Sequence, residues 1–485
     1  MISLTSILVT AFIAVQVLYL LCMLVEVYFY TRPINRVDVE NAAPLTPDET
    51  PYIVLFYPVL RELEETMRTT FHSLSRMEYP RDRYSVIAIP NSNDYETVES
   101  LRRLQREFDF LSIIEVPPTT DPSWQPVWDG WESNPKAYWF HHGPRAGFRD
   151  LPPKKTRQLI YAFYKVHKER EGADFLVNYI DADSAPGPDH FTAGAIGMRD
   201  YDVLQATNIA GNLLHSMPAT WYAFDHLTWD ASKYAHLTAN GTHPFWVLGK
   251  GLFFRASDLY ELGSFHPWLT IEDPEVGMRF WKNGRKLGLI ERPLIEEVPE
   301  TLENGITQRK RWVAGFLQSL DVPLKEMGYT PIERLKAWLN FLPCLSLILN
   351  AVGVPLGIWA GVTWWMGTTP LPEWSLWLAG ANAVALFTLF TWFYINAWRK
   401  TRVVLPSRLQ RLWYLIRVNP LSLVIHWFIW IIPLWIGWRM YRTDGGLVWE
   451  RTVKIDANNK IVRGKLGVEH LQPANQIDLS QSKAM

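Results

Sequence analysis

Phe175-Leu176-Val177-Asn178-Tyr179-Ile180-Asp181-Ala182-Asp183 is the stretch on which the fold turns: an apolar run that ends in two carboxylates. The run predicts a buried strand from Phe175 to Ile180, with the carboxylates emerging at its end. Residues two apart on a strand point the same way, so Asp181 and Asp183 are expected on one side. Working outward, Tyr52 to Phe56 reads as another buried strand, Leu63 to Leu74 as a helix and Tyr84 to Ile89 as a further strand. Strands alternating with helices predict an α/β domain with a mainly parallel sheet. Ligands of such sheets gather where strands end in loops, which is where chemistry is sought.

The flanks of this domain differ from it. Thr5 to Tyr30 is a long apolar run broken only by Gln16 and Glu26, with no basic n-region and no small-residue cleavage site. It predicts an uncleaved transmembrane anchor. Arg32 and Arg36 follow it, so the charge rule places the N-terminus outside and the α/β domain in the cytosol. Ile332 to Phe341 reads as an interfacial helix, Leu342 to Met366 as a span with Pro355 as a kink, and Ser375 to Trp398 as the return span. The loop Gly367 to Trp374 has no Lys or Arg and is expected outside. Leu405 to Val418 carries three arginines among apolar residues and is expected in the interface. Leu421 to Trp438, interrupted by Pro433, leaves two paths open. A single crossing would put Arg439, Arg442, Arg451 and Lys454 outside against the charge rule, so a hairpin or re-entrant path stands beside it.

The expected division is an anchor over 1–31, a cytosolic catalytic domain over 45–330, interfacial and transmembrane helices over 331–441, and a cytosolic segment and tail over 442–485. Over all 485 residues, 48% are apolar and the net charge is −1, which argues against a nucleic-acid partner. The two cysteines, Cys22 and Cys344, both lie in apolar segments and make neither a disulfide framework nor a zinc pattern. Pro117 to Pro152 is long for a connection and holds Trp124, Trp128, Trp131 and Trp139. Its rings suit stacking on a sugar or packing within a surface excursion, and both readings stay open.

Three groups of residues carry chemistry. Asp181 and Asp183 at a strand end suit a hard divalent cation such as Mg2+ or Mn2+, which can neutralise a departing diphosphate. The plain alternative is an Asx-turn. Glu272-Asp273 opens a helix whose first turn holds Pro274. Asp273 is the candidate general base, with simple helix capping as the alternative. Gln308, Arg311 and Trp312 fall at i, i+3 and i+4 and share one helical face that offers an amide, a phosphate-matching guanidinium and a stacking ring. A solvated amphipathic helix is the alternative.

In this order, D-x-D, E-D and Q-x-x-R-W resemble the motifs of the processive family-2 membrane glycosyltransferases, the relatives of cellulose, chitin and hyaluronan synthases. Other segments share the resemblance: Pro58 to Glu62 after the first strand, Asn91 to Asp94 with Thr97 after the second, and Lys154 to Arg157 with Leu159 before the third. Gly249 to Arg255 resembles the acceptor-side segment, and Trp449 to Lys454 the cytosolic W-x-x-T-x-K. The resemblance implies a GT-A fold, Rossmann-like with a mainly parallel sheet, joined to an α-helical transmembrane region. It further implies a nucleotide-sugar donor, a divalent metal and inversion at the anomeric centre. Asp183, with Asp181 beside it, would bind metal and diphosphate. Pro58, Glu62, Asn91, Asp94, Lys155 and Asp181 would bind the donor. Asp273, paired with Glu272, would be the base, and Gln308, Arg311 and Trp312 would hold diphosphate and acceptor. The donor implied is a UDP-sugar, although Pro90-Asn91 stands where the family has paired aspartates, which leaves the Asn91 carbonyl to accept from uracil.

The function expected is transfer of a sugar to a growing polysaccharide or glycan by an integral protein of the plasma (inner) membrane. The alternatives are single transfer to a lipid-linked acceptor and a non-catalytic scaffold or receptor subunit. The few spans leave room for an oligomer or an export partner.

Overall fold

A computed structural model describes residues 3–229, 234–238, 241, 243–340, 342–443, 456, 458, 461 and 462, without the side chains of 322 and 342–347. The Trp449–Lys454 motif and most of 442–485 lie outside the described residues.

Seven strands form one sheet: β1 (Ile53–Pro58), β2 (Tyr84–Ile89), β3 (Leu111–Ile113), β4 (Leu176–Tyr179), β5 (Val203–Ala210), β6 (Leu252–Arg255) and β7 (Leu287–Glu296). Their order is β3-β2-β1-β4-β6-β5-β7, parallel throughout except where β6 pairs antiparallel with β4 and β5. β1 and β2 are buried along almost their whole length, which is why their sequences read as continuous apolar runs. β7 contains Pro293, a residue that cannot donate to a ladder. It is tolerated because β7 is an edge strand whose pairing with β5 shifts register between Ala206 and Asn208.

The helices that position the site or flank it are α1 (Leu4–Tyr30), α2 (Lys155–Glu169), α3 (Met217–Thr228), α4 (Asp273–Lys282), α5 (Leu302–Leu320), α6 (Pro331–Leu339), α7 (Leu342–Trp365), α8 (Glu373–Lys400), α9 (Arg408–Arg417) and α10 (Pro420–Arg442). Among the described residues, four segments are long and apolar enough to cross a membrane: α1, Ile348–Trp365 in α7, Glu373–Val403 and α10. α1 docks on α8 through one amide: Asn382 Nδ2 donates to both Gln16 Oε1 and Gln16 O, each at 2.9 Å. It meets α7 where Gly353 leaves room for Val15. α10 is one continuous helix with Pro433 inside it, which removes the hairpin expected as one path for this segment.

The Pro117–Pro152 excursion resolves towards packing. Trp124, Trp128, Trp131 and Trp139 are between 0% and 4% exposed. Trp124 lies 4.9 Å from the Tyr161 ring of α2, and Trp131 Nε1 donates to Gly263 O at 3.0 Å. These rings are core, and the sugar-stacking reading of them is withdrawn.

Candidate active site

The first turn of α2 joins the motifs. Lys154 Nζ donates to Leu269 O, Lys155 Nζ to Asp181 Oδ1 and Gly249 O, and Thr156 Oγ1 to Glu272 Oε2. Arg157 Nη2 donates to Asn91 Oδ1 and Gln158 Nε2 to Val59 O, both at 2.6 Å. Five consecutive residues thus reach out to several different segments. A helix start does this because its side chains fan out over the ends of the neighbouring strands.

Lys155 is the centre of the charge arrangement. Its ammonium lies 2.7 Å from Asp181, 3.7 Å from Glu272 and over the Tyr179 ring at 4.9 Å. Burial works against its charge, but Asp181, Glu272 and Asp273 outweigh burial and hold the ammonium above its ordinary range. Next to it, burial lowers Lys154 to about 8.

Asp273 is the first residue of α4, and Pro274 follows it where a missing N–H costs nothing. Tyr179 OH donates to Asp273 Oδ1 at 3.0 Å. The carboxylate lies flat against Gly249, where a Cβ would come within 2.4 Å of both its oxygens. Burial first, then the neighbouring Glu272, push the Asp273 carboxyl well above the usual carboxylate range, while Lys155 pulls the other way.

The D-x-D does not sit on an extended strand. β4 ends at Tyr179, and a turn closed by Ser184 N–H on Asp181 O at 3.0 Å carries both aspartates. Tyr57 OH and Thr70 Oγ1 both donate to Ala182 O and hold that turn. The same-side argument from strand alternation is therefore corrected. Asp181 has a side chain 41% exposed and faces Lys155, whereas Asp183 is 7% exposed and accepts from Glu297 N at 3.0 Å. Among the described residues no group of three or more His, Cys, Asp or Glu is disposed to hold an ion. Two carboxylates on one turn are hard oxygen donors, the type of ligand a divalent cation takes.

Asn91 lies just past β2. It is 1% exposed and its Oδ1 accepts from Arg157, so the oxygen assigned to a uracil N–H already has a partner within the protein. Asp94 Oδ2 accepts from Arg61 N at 2.8 Å, which fixes the Pro58–Glu62 loop with Arg61 in the left-handed region at φ 52. Pro58 is the last residue of β1, and Glu62 lies on the loop that follows.

Gln308, Arg311 and Trp312, all half-buried, lie on α5. Its Gly315 lies against Ile271, where a Cβ would come within 2.9 Å of the backbone nitrogen, and Gln318 Oε1 accepts from Thr270 N. The Trp312 ring centroid is 5.9 Å from that of His226. His226 Nδ1 lies 3.1 Å from Asn208 Nδ2, which also donates to Glu296 Oε2 at 2.9 Å.

Two sets of residues were not foreseen. Glu296 ends β7 beside the D-x-D turn, accepting from Ser184 Oγ at 3.0 Å and Lys250 Nζ at 2.5 Å. Burial raises its carboxyl, Lys250 opposes the rise, and Asp183 and Asp181 add to it. The acidic pair Glu296-Glu297 was the available signal, hidden because the Arg292-Pro293 break masked the strand. The other set lies behind Trp312, where Arg309 Cζ stacks 3.6 Å from the Tyr222 ring centroid and Nη2 donates to Asp225 Oδ2 at 3.0 Å. Arg309 is 1% exposed, and its Nη1 also lies 3.5 Å from Gln308 Oε1, to which it donates.

A mostly parallel sheet with one antiparallel strand, carrying acidic turns at its strand ends, defines a GT-A-type catalytic domain, here joined to long apolar helices. Residues 176–438 match the profile of glycosyl transferase family group 2, more than half of the chain, and the protein belongs to that family of glycosyltransferases. Among solved structures the chain is similar to mannosyltransferase PcManGT from Pyrobaculum calidifontis in complex with GDP-Man and Mn2+. That likeness has 17% identity and a TM-score of 0.48, over 81% of this chain and 96% of that one. It is also similar to S. aureus TarS 1-349 in complex with UDP-GlcNAc, at 11% identity and a TM-score of 0.30, over 72% and 92% of the two chains. The comparison with curated proteins found no match.

Proposed function

We propose that this glycosyltransferase is embedded in the plasma (inner) membrane, works with inversion on the cytosolic face, and extends a growing glycan. The observation that carries the mechanism is the Asp273 carboxylate: half-buried, oriented by Tyr179, and flanked by Lys155 and Glu272. Asp273 takes the proton of an acceptor hydroxyl as its oxygen attacks the anomeric carbon. The new glycosidic C–O bond forms as the bond from the anomeric carbon to the diphosphate oxygen breaks on the opposite face, so a single displacement inverts the centre. A raised carboxyl suits this role because a base is most effective with a pKa near the working pH.

Asp183 and Asp181 would hold Mg2+ or Mn2+, which when bound would neutralise charge on the departing nucleoside diphosphate. Lys155 balances the remaining carboxylates and keeps Asp181 oriented. Gln308, Arg311 and Trp312 would hold the diphosphate and the acceptor's terminal sugar. Labelled nucleotide sugars supplied to membranes, with products sized before and after glycosidase digestion, test the whole reading. A ladder of products supports a growing glycan. One addition to a lipid-extractable product replaces it with single transfer to a lipid-linked acceptor.

Asp183→Asn is expected to weaken Mn2+-dependent binding of nucleoside diphosphate at least tenfold by calorimetry. Unchanged binding removes Asp183 from the metal assignment. Glu272→Gln removes the negative neighbour that raises Asp273, so the acid limb of kcat/KM against pH is expected to move to lower pH. Lys155→Met removes the opposing positive charge and is expected to move that limb upward. Matching limbs in all three proteins would mean that Asp273 is not the titrating base.

For topology, Thr369 in the 367–374 loop is buried but Thr368 is exposed, so Thr368→Cys is the informative variant. It is expected to react with an impermeant maleimide in intact cells. Reaction only after lysis reverses the orientation.

A further inference from the structure

By length and composition α10 is a candidate span, and Trp427 packs on Phe390 of α8, but its polar side chains are bound to the catalytic domain. Resting on the proposed membrane placement of the catalytic domain, we propose that α10 does not cross the bilayer. It lies in the plane of the leaflet on the catalytic side, roofing α3 and α5, with its outer face in the acyl region of the lipid.

The inner face is held to the catalytic domain from end to end. Just before its start, Arg417 Nη1 donates to Leu214 O, and in its first turn Ser422 Oγ accepts from Trp221 Nε1, both at 2.6 Å. At mid-length, His426 Nε2 lies 2.9 Å from Asp225 Oδ1, and Trp430 Nε1 donates to Asp225 Oδ2 at 2.9 Å. Arg309 stands over the Trp430 ring at 5.1 Å. Towards the far end, Gly437 has no Cβ because one would come within 2.7 Å of Lys310 O, and Tyr441 OH donates to Asp321 Oδ2 at 2.7 Å. From Ser422 to Tyr441 an α-helix runs about 28 Å, close to the whole hydrocarbon thickness of roughly 30 Å.

A crossing α10 would therefore take its partners with it. Asp225, Arg309, Lys310 and Asp321 would be strung across the bilayer core, where a charged side chain costs several kcal/mol. α5 would drag the Thr270–Asp273 loop in as well, since Gly315 and Gln318 are bound to it. An in-plane α10 removes this conflict.

The outer face supplies the second, independent observation. Leu421, Ile425, Phe428, Ile432 and Trp435 recur at steps of four and three residues and are between 45% and 74% exposed. That is one apolar stripe on the side opposite Ser422, His426 and Trp430. α6 and α9 do the same with Ile332, Leu335 and Trp338, and with Leu409, Leu412, Trp413 and Ile416, all exposed. Arg439 and Arg442 at the end of α10 then stay on the side of the catalytic domain, at headgroup level. The lipid leaflet is the occupant that matches an apolar stripe ending in cations and continuous with those of two neighbouring helices.

The test uses the full-length protein with Cys22 and Cys344 changed to Ala and single cysteines at Ser133, Thr368 or Thr443, in sealed vesicles of both orientations. Ser133 is an exposed residue of the catalytic domain and Thr443 an exposed one just past α10. An impermeant maleimide is expected to label Ser133→Cys and Thr443→Cys from the same side and Thr368→Cys from the other. Thr443 sharing its side with Thr368 overturns the in-plane helix. Ser133 and Thr443 labelling together from the outside keeps the in-plane helix and overturns the cytosolic assignment instead. Spin labels at Ile425, Phe428, Ile432 and Trp435 are expected to sense dissolved oxygen as lipid-exposed sites in one leaflet. Oxygen-shielded labels mean that a second copy or another protein covers the face, and overturn lipid as its occupant.

Discussion

Asp273→Asn is expected to cut sugar transfer by about a hundred- to ten-thousand-fold, the range typical of losing a general base. Asparagine keeps the size of the side chain and can still accept from Tyr179, so the local fold and donor binding should persist. What it loses is the ability to take a proton. Two neighbours make the result interpretable. Glu272 lies 3.7 Å from Lys155 and accepts from Thr156, so it has positioning work that Asp273 does not share. Glu272→Gln should therefore lose less rate and show its loss partly as a shifted pH profile. Single-turnover transfer and separate donor-binding measurements distinguish the two. Near-parent transfer by Asp273→Asn, together with a dead Glu272→Gln, would exchange their roles.

Asp225→Ala is the second large effect, and it acts through structure. Asp225 gathers Arg309, His426 and Trp430 from α5 and α10. Removing it leaves the Arg309 guanidinium, 1% exposed, without its carboxylate. Breaking one partner of a buried pair costs about 3–5 kcal/mol. Because the Asp225 side chain keeps 17% exposure, the lower end, about 3 kcal/mol, is the expectation. In detergent this should lower the midpoint of thermal inactivation by about 3–5 °C. Burial alone would push the Asp225 carboxyl up, but His426, Arg309 and Trp430 hold it at about 2. A depressed carboxyl stabilises the fold above its unfolded value near 4, and that contribution fades as pH falls towards about 2. Asp225→Asn keeps hydrogen-bonding groups and should lose less than alanine. An alanine variant that melts and transfers like the parent would show that the network holds nothing together.

How much of this was readable in advance depended on whether the signal was local. β1, β2 and β4 announce themselves because strands buried on both faces are apolar along most of their length, with Ser85 and Asn178 as the exceptions. β7 does not, because its edge position admits Arg292-Pro293, and Glu296 was lost with it. Glu272-Asp273 and the Gln308–Trp312 face were found because each motif lies within a few residues. The partners of Asp225 lie 84, 201 and 205 residues away, so no spacing rule could have joined them. The D-x-D shows a third case: the residues were picked out, but the geometry assumed for them was a strand and the protein uses a turn. For the tryptophans after Pro117, composition could not decide, since the same rings serve a core or a sugar. Burial decided it.

The amide pair between Gln16 and Asn382 has a consequence for how the protein is made. The two residues are 366 positions apart, and at about 5–20 residues per second roughly 20–70 s separate their synthesis. On the proposed membrane placement, α1 is during that interval already in the lipid with a carboxamide whose partner has not yet been translated. Insertion of the first helix and its docking on the third are therefore separate events in time, with the entire catalytic domain synthesised between them. On the same placement, a chain truncated before Asn382 leaves an anchor that can meet α7 at Gly353 but has no partner for the Gln16 carboxamide.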